Sequence, residues 1–126
     1  MDRQIYAGEW KIMEYLWAGA PRTLMQIVHT MAEETGWAKS TVVTMVGRMQ
    51  AKGLVRYEEG GRARLIYPAV SRDEAANAEA DGLINKAFHG SAGLLMASLL
   101  ESRRLPREEI DALYALLKRA EEERNA

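Results

Sequence analysis

The polar side chains best suited to bind another molecule are concentrated between residues 37 and 53. Thr41 and Thr44 lie three residues apart, and Arg48 follows about one helical turn later. Hydroxyl and guanidinium groups at this spacing can form hydrogen bonds with bases or phosphates in the major groove of DNA, whereas Val43 offers only an apolar contact. The residues predicted to contact DNA in this stretch are Lys39, Ser40, Thr41, Val43, Thr44 and Arg48.

These residues need a helix to position them, and the sequence predicts one. Apolar residues recur at i, i+3, i+4 and i+7, the period of a helix with one buried stripe. Gly53 is expected to end this helix in the left-handed conformation. Ala38 is a poor N-cap, so we expect Ser40 to cap the helix and to delay its start. The buried stripe consists of Val42, Met45, Val46 and Met49.

The flanking segments predict two more helices and a β-hairpin. The first helix covers residues 8–18, and a second begins near Thr23 and ends at Thr35-Gly36. Residues 54–58 and 62–68 form predicted strands around a turn at residues 59–61. Three helices followed by a hairpin are the arrangement of a winged helix-turn-helix domain. Arg62 and Arg64 lie near the predicted tip, where arginines can reach phosphates.

The remaining sequence predicts three helices, starting from a capping box formed by Ser71 and Glu74. About 50 residues are too few to close a good core alone, and their leucine-rich stripes fit a second copy of the chain. We therefore predict a mainly α protein with a small β-hairpin, in which residues 1–70 bind DNA and residues 71–126 form a helical dimerisation domain. The predicted homodimer contacts are Leu83, Ile84, Phe88, Leu95, Leu99, Ile110, Leu113 and Leu117.

The composition favours a nucleic-acid-binding protein and argues against a membrane protein or a metalloenzyme. The 126 residues carry a net charge of −1, yet residues 37–67 hold six basic side chains against two acidic ones, which favours a local nucleic-acid patch over scattered surface charge. There is no cysteine, no apolar run of membrane-spanning length and no signal peptide. A cytoplasmic protein without membrane insertion is therefore expected. The two histidines, His29 and His89, form no metal-ligand motif, so we expect no metal, no cofactor and no enzymatic activity.

Two other functions fit a winged helix. One is a protein-interaction module that does not bind DNA, which would be expected to carry an acidic or apolar outer face on residues 37–53. The other is a ligand-responsive regulator of the multidrug type, which would need a pocket at a dimer interface. The three tryptophans, Trp10, Trp17 and Trp37, are expected to pack in the core rather than to stack on bases.

Four segments have a familiar order and spacing: Glu9-Trp10-Lys11-Ile12-Met13 with Leu16-Trp17, Trp37 to Val55, Arg62-Ala63-Arg64 with Tyr67-Pro68, and Glu108 to Tyr114. Across nearly the whole chain the sequence resembles the BlaI/MecI/CopY family of penicillinase-type repressors. The resemblance implies a dimeric winged-helix repressor of a palindromic operator in double-stranded DNA. Thr41, Thr44 and Arg48 match the usual residue types of the family's recognition helix, whereas Val43 replaces a residue that is often polar.

The resemblance also implies a route of induction. In the penicillinase branch, a membrane sensor with a metalloprotease domain triggers cleavage of the repressor in its dimerisation domain. The matching bond here is Ser98–Leu99, where those repressors have Asn-Phe. The copper-responsive branch uses a cysteine cluster, which this sequence lacks.

Overall fold

The computed structural model describes residues 4–102 and 105–125. The described chain is mainly helical with one small antiparallel sheet, which confirms the predicted fold class. It falls into two compact units, the first ending at Ala80 and the second beginning at Asp81. The elements in chain order are α1 (Ala7–Gly19), β1 (Arg22–Thr23), α2 (Leu24–Thr35), α3 (Lys39–Ala51), β2 (Val55–Gly60), β3 (Ala63–Pro68), α4 (Arg72–Ala87), α5 (Ala92–Ser102) and α6 (Arg107–Asn125).

The first unit has a single apolar core to which α1, α2, α3 and the sheet all contribute. Fully burying one such side chain stabilises the fold by about 1.5–3 kcal/mol. The apolar side chains that each element buries therefore hold that element in place. The core fixes the inner side of α3 and leaves its outer side to solvent. The most deeply buried side chains are Ile12, Met13, Leu16, Ile27, Met31, Val42, Val46, Met49, Leu54 and Ile66.

The sheet has three strands in the order β1-β3-β2. The short strand β1 pairs with β3 through Arg22↔Ile66 and Thr23↔Leu65. This strand was absent from the prediction because two residues are too short to show an alternating pattern. β1 therefore ties the segment just before α2 to the hairpin.

The hairpin turn lies at Gly61-Arg62, not at the predicted residues 59–61, because β2 continues to Gly60 and pairs there with Ala63. Two-residue turns of this kind match the twist of the strands and need a positive φ at the first turn position in one common class. Gly61 supplies it with φ of +77°. Arg62 therefore lies in the turn itself.

The capping box at the start of α4 is confirmed. The Glu74 N–H donates to Ser71 Oγ at 3.0 Å, and the Ser71 N–H donates to Glu74 Oε1 at 3.3 Å. Ala75 then packs into the core of the first unit, so α4 starts as part of that unit. The compact unit thus extends ten residues beyond the predicted functional boundary at residue 70, and the assignment of dimerisation to residues 71–126 stays a prediction.

The second unit exposes much of its apolar surface. None of the described residues of α5 and α6 is buried. Leu83 and Leu117 are exposed, and the other predicted dimer contacts are half-buried: Ile84, Phe88, Leu95, Leu99, Ile110 and Leu113. Ser91 caps α5 by accepting the Leu94 N–H at 3.2 Å. No helix in the described part of the chain is long and apolar enough to cross a membrane.

Candidate nucleic-acid interface

The outer side of α3 carries the predicted DNA-contacting residues. Val42, Val46 and Met49 are buried on its inner side, and periodicity then turns the intervening positions outward. All six predicted residues of the helix are exposed: Lys39, Ser40, Thr41, Val43, Thr44 and Arg48. Four of them line one open depression of about 310 Å³ together with Met45: Ser40, Thr41, Thr44 and Arg48. The structure therefore brings hydroxyl groups and a guanidinium together on one surface.

The start of α3 differs from the expectation. The helix begins at Lys39 with Ala38 as its N-cap, and no described side chain caps it; the expectation that Ser40 caps a late helix is wrong. The turn after α2 explains this, because Gly36 adopts φ of +78° and the Trp37 N–H donates to Thr35 Oγ1 at 3.1 Å. After this turn Ala38 has an extended conformation, and the Ala38 carbonyl accepts a hydrogen bond from the Val42 N–H at 3.2 Å. Ser40 consequently lies in the first turn of α3 and presents its side chain to solvent.

The end of α3 follows the prediction. Gly53 has φ of +79°. The Leu54 N–H donates to the Met49 carbonyl at 2.9 Å, and the Gly53 N–H donates to the Gln50 carbonyl at 3.1 Å. These two bonds form a Schellman motif, which turns the chain directly into β2.

A buried ion pair fixes this end of α3 to the start of α1. Lys52 Nζ lies 2.7 Å from Glu9 Oε1, and the Glu9 side chain is only 5% exposed. The same carboxylate accepts the Tyr6 N–H at 2.9 Å, while Lys52 also donates to the Gln4 carbonyl at 2.7 Å and lies over the Tyr6 ring. Sequence reasoning misses this pair, because 43 residues separate Glu9 from Lys52 in the chain.

The tryptophans pack as expected. Trp10 and Trp17 meet edge to face with ring centroids 5.6 Å apart, and Trp17 Nε1 donates to the Val70 carbonyl at 3.0 Å. Trp37 also packs against the core, where Gly8 leaves space for it: a Cβ at Gly8 would lie 3.3 Å from the Trp37 ring. These rings support α1 and the turn before α3.

The hairpin carries three arginines, two of which form ion pairs with glutamates. Arg64 lies 3.5 Å from Glu59 across the two strands, and Arg56 lies 2.8 Å from Glu58. Arg62 is exposed in the turn and has no ion-pair partner within residues 4–102 and 105–125. Arg62 is therefore the hairpin cation most available to a phosphate, and Arg64 would first have to leave its carboxylate.

Comparison with known families agrees with this geometry. A sequence model of the family described as penicillinase repressor matches residues 6–119. The chain belongs to this family. Relatives include the penicillinase repressor of Bacillus licheniformis, 24% identical over 90% of this chain and 89% of that protein, and the transcriptional regulator BlaI of Mycobacterium tuberculosis, 30% identical over 84% of this chain and 77% of that protein. The methicillin resistance regulatory protein MecI of Staphylococcus aureus is 22% identical over 93% of this chain and 98% of that protein.

A solved structure shows the same fold in a family member. The solution structure of the DNA-binding domain of the repressor BlaI superposes with a TM-score of 0.53 at 21% identity. It covers 57% of this chain and 88% of that domain. The likeness confirms the winged-helix fold, and the family match confirms the resemblance noted in the sequence.

Proposed function

We propose that this protein is a sequence-specific DNA-binding transcriptional repressor that acts as a homodimer on a palindromic operator. The observation that carries the proposal is the outer face of α3, where six exposed side chains can enter a DNA groove. Residues 37–53 contain no acidic side chain that would repel the phosphates. Family membership and the winged-helix fold support the same function. The interaction-module alternative lacks such support, since the outer face is neither acidic nor a continuous apolar surface. The family match does not support a ligand-responsive regulator of the multidrug type either.

Within this proposal the side chains divide into readers of bases and ligands of phosphates. Thr41 and Thr44 line the depression on the exposed side, where hydroxyl groups can bond base edges. The phosphate ligands are cations at the ends of α3 and in the hairpin turn: Lys39, Arg48, Arg62 and, once released from Glu59, Arg64.

The exposed helices of the second unit support the dimer. Apolar side chains recur on α6 at Ile110, Leu113 and Leu117. Ile110 and Leu113 are half-buried, and Leu117 is exposed. A second copy of the same stripe would cover them. A two-fold dimer would then present two α3 helices to the two halves of a palindrome.

Proteolytic induction by a membrane sensor protease is part of the proposal that rests on the resemblance alone. The Ser98–Leu99 bond lies inside α5, with both residues half-buried. Proteases cleave chains that have opened locally, so α5 would have to unwind before cleavage. An intact Ser98–Leu99 bond in cells exposed to a β-lactam would contradict this mode of induction and leave operator binding unaffected.

The division of roles on the interface gives a testable contrast. Thr44→Ala is expected to reduce the preference for the operator over scrambled DNA, because it removes a base-reading hydroxyl. Arg62→Ala is expected to weaken binding to both DNAs alike and to reduce the salt slope by about 2 for the dimer, since each phosphate contact contributes about 0.9. Titration of both duplexes at several salt concentrations measures each effect.

Arg119→Ala is the matched control, because it removes an exposed cation from α6 and leaves α3 and the hairpin intact. It is expected to change neither preference nor slope. The opposite pattern, with Arg62→Ala altering preference and Thr44→Ala weakening all DNA equally, would show that the two roles are misassigned.

A further inference from the structure

Val43 is an apolar side chain on the polar face of α3. It is 39% exposed, although Val42 and Val46 on the same helix are buried. Val43 is also absent from the residues that form the core or pack against it. Valine also restricts its rotamers in a helix and favours helix formation less than alanine does. Val43 lies at the edge of the exposed side of α3, about a quarter turn from the buried stripe of Val42, Val46 and Met49, and a half-covered valine there contributes less to folding than a buried one.

The neighbours of Val43 leave its methyl groups accessible. On a helix, the side chains that could cover it lie three and four residues away. Ser40 is short, Gly47 has no side chain and Val46 is buried in the core. Lys39 is the remaining neighbour, and its flexible stem is exposed to solvent. A Cβ added at Gly47 would meet nothing within 4 Å, so the space beside Val43 is open and a second surface can approach it closely.

The major groove offers one apolar group to such a side chain. Each base pair presents hydrogen-bond donors and acceptors there, but only thymine adds a methyl group, at C5. Valine can neither donate nor accept a hydrogen bond, so it cannot distinguish bases by their polar edges. The thymine methyl group is therefore the feature of a base pair that Val43 can recognise.

We infer that Val43 is a specificity-determining residue that reads one thymine in each half-site through van der Waals contact with the C5 methyl group. The inference rests on the proposed function and adds to it the identity of one base. Thr41, Thr44 and Arg48 line the depression towards the other flank of the exposed side and supply the polar contacts. Val43 rejects cytosine at the thymine position because cytosine has no methyl group to bury.

Uracil substitution tests this directly, because it removes the thymine methyl group and keeps the base-pairing edge. The probe is a duplex that the full-length protein selects from a random-sequence library, with each symmetric pair of thymines replaced in turn by uracil. Burial of one methyl group changes affinity about 4-fold. One symmetric pair is therefore expected to lower the affinity of the unmodified protein about 15-fold.

Val43→Ala is expected to bind the thymine duplex more weakly and to lose the response to uracil at that pair. The variant should fold, since Val43 is exposed and alanine favours the helix; thermal unfolding followed by circular dichroism checks this. Thr41→Ala is the matched control on the exposed side of the same helix. It is expected to weaken binding through the lost hydroxyl contact but to keep the uracil response at that pair.

The inference is overturned if the unmodified protein and Val43→Ala respond alike to uracil at every position while both prefer the selected duplex. That result leaves the proposed function standing. A protein that binds the selected duplex no more tightly than a scrambled one overturns the proposed function, and the inference with it.

Discussion

Lys52→Met is expected to lower the free energy of unfolding by about 3 kcal/mol. The Glu9 carboxylate is 5% exposed and lies 2.7 Å from Lys52 Nζ. Removing the ammonium group leaves this carboxylate buried without a cation, which costs far more than the loss of an exposed pair. Lys52 itself is 16% exposed, which places the effect at the low end for buried pairs. Urea unfolding at a fixed protein concentration measures it.

Two further variants separate the ion pair from the packing of the lysine stem. Arg72→Met breaks the exposed pair between Arg72 and Glu14, which has the similar length of 2.8 Å, and is expected to cost less than 1 kcal/mol. Adding Glu9→Gln to Lys52→Met removes the stranded charge and is expected to recover part of the loss. Equal costs for Lys52→Met and Arg72→Met would show that the Glu9–Lys52 pair does not stabilise the junction of α1 and α3.

Leu117→Glu is expected to produce monomers and to lower operator affinity by about 100-fold or more. Leu117 is 68% exposed on the apolar stripe of α6, and a carboxylate there would be buried without a partner in the dimer. Linking two DNA-binding units makes the second contact intramolecular and raises affinity by about 10²–10⁴. Sedimentation equilibrium measures the oligomeric state, and titration with a palindromic duplex measures the affinity.

Ala115→Glu is the matched control, because helical periodicity places Ala115 on the opposite side of α6, where it is exposed. The same charge there is expected to leave both measurements unchanged. A Leu117→Glu protein that sediments as a dimer and binds the palindrome like the unmodified protein would contradict dimerisation through α6.

The sequence predicts those features that depend on residues close together in the chain. The spacing of Val42, Val46 and Met49 is enough to orient α3, because a helix repeats its faces every 3.6 residues. Caps are equally local: Ser71 with Glu74, and Gly53 with its positive φ, act within a few residues of the chain. The exposed face of the candidate interface follows directly from these two kinds of signal.

The features that sequence missed depend on residues far apart in the chain. Glu9 and Lys52 are 43 residues apart, and neither has a local pattern that distinguishes a buried partner from a solvated charge. The pairing of Arg64 with Glu59 depends on the hairpin register, which the shifted turn changed. The start of α3 was misjudged because the turn at Gly36 positions Ala38 without help from a side-chain cap.

The central claim is that exposed residues of α3 bind a specific DNA sequence as part of a dimer. Its most direct test is the affinity of the full-length protein for its selected duplex and for a scrambled duplex, measured across a range of salt concentrations. With Arg64 still paired to Glu59, the remaining three cations per protomer are Lys39, Arg48 and Arg62. They predict a log–log slope of about −5 for the dimer, and the proposal also predicts a clear preference for the selected duplex. Equal affinity for the two duplexes at every salt concentration would contradict the claim.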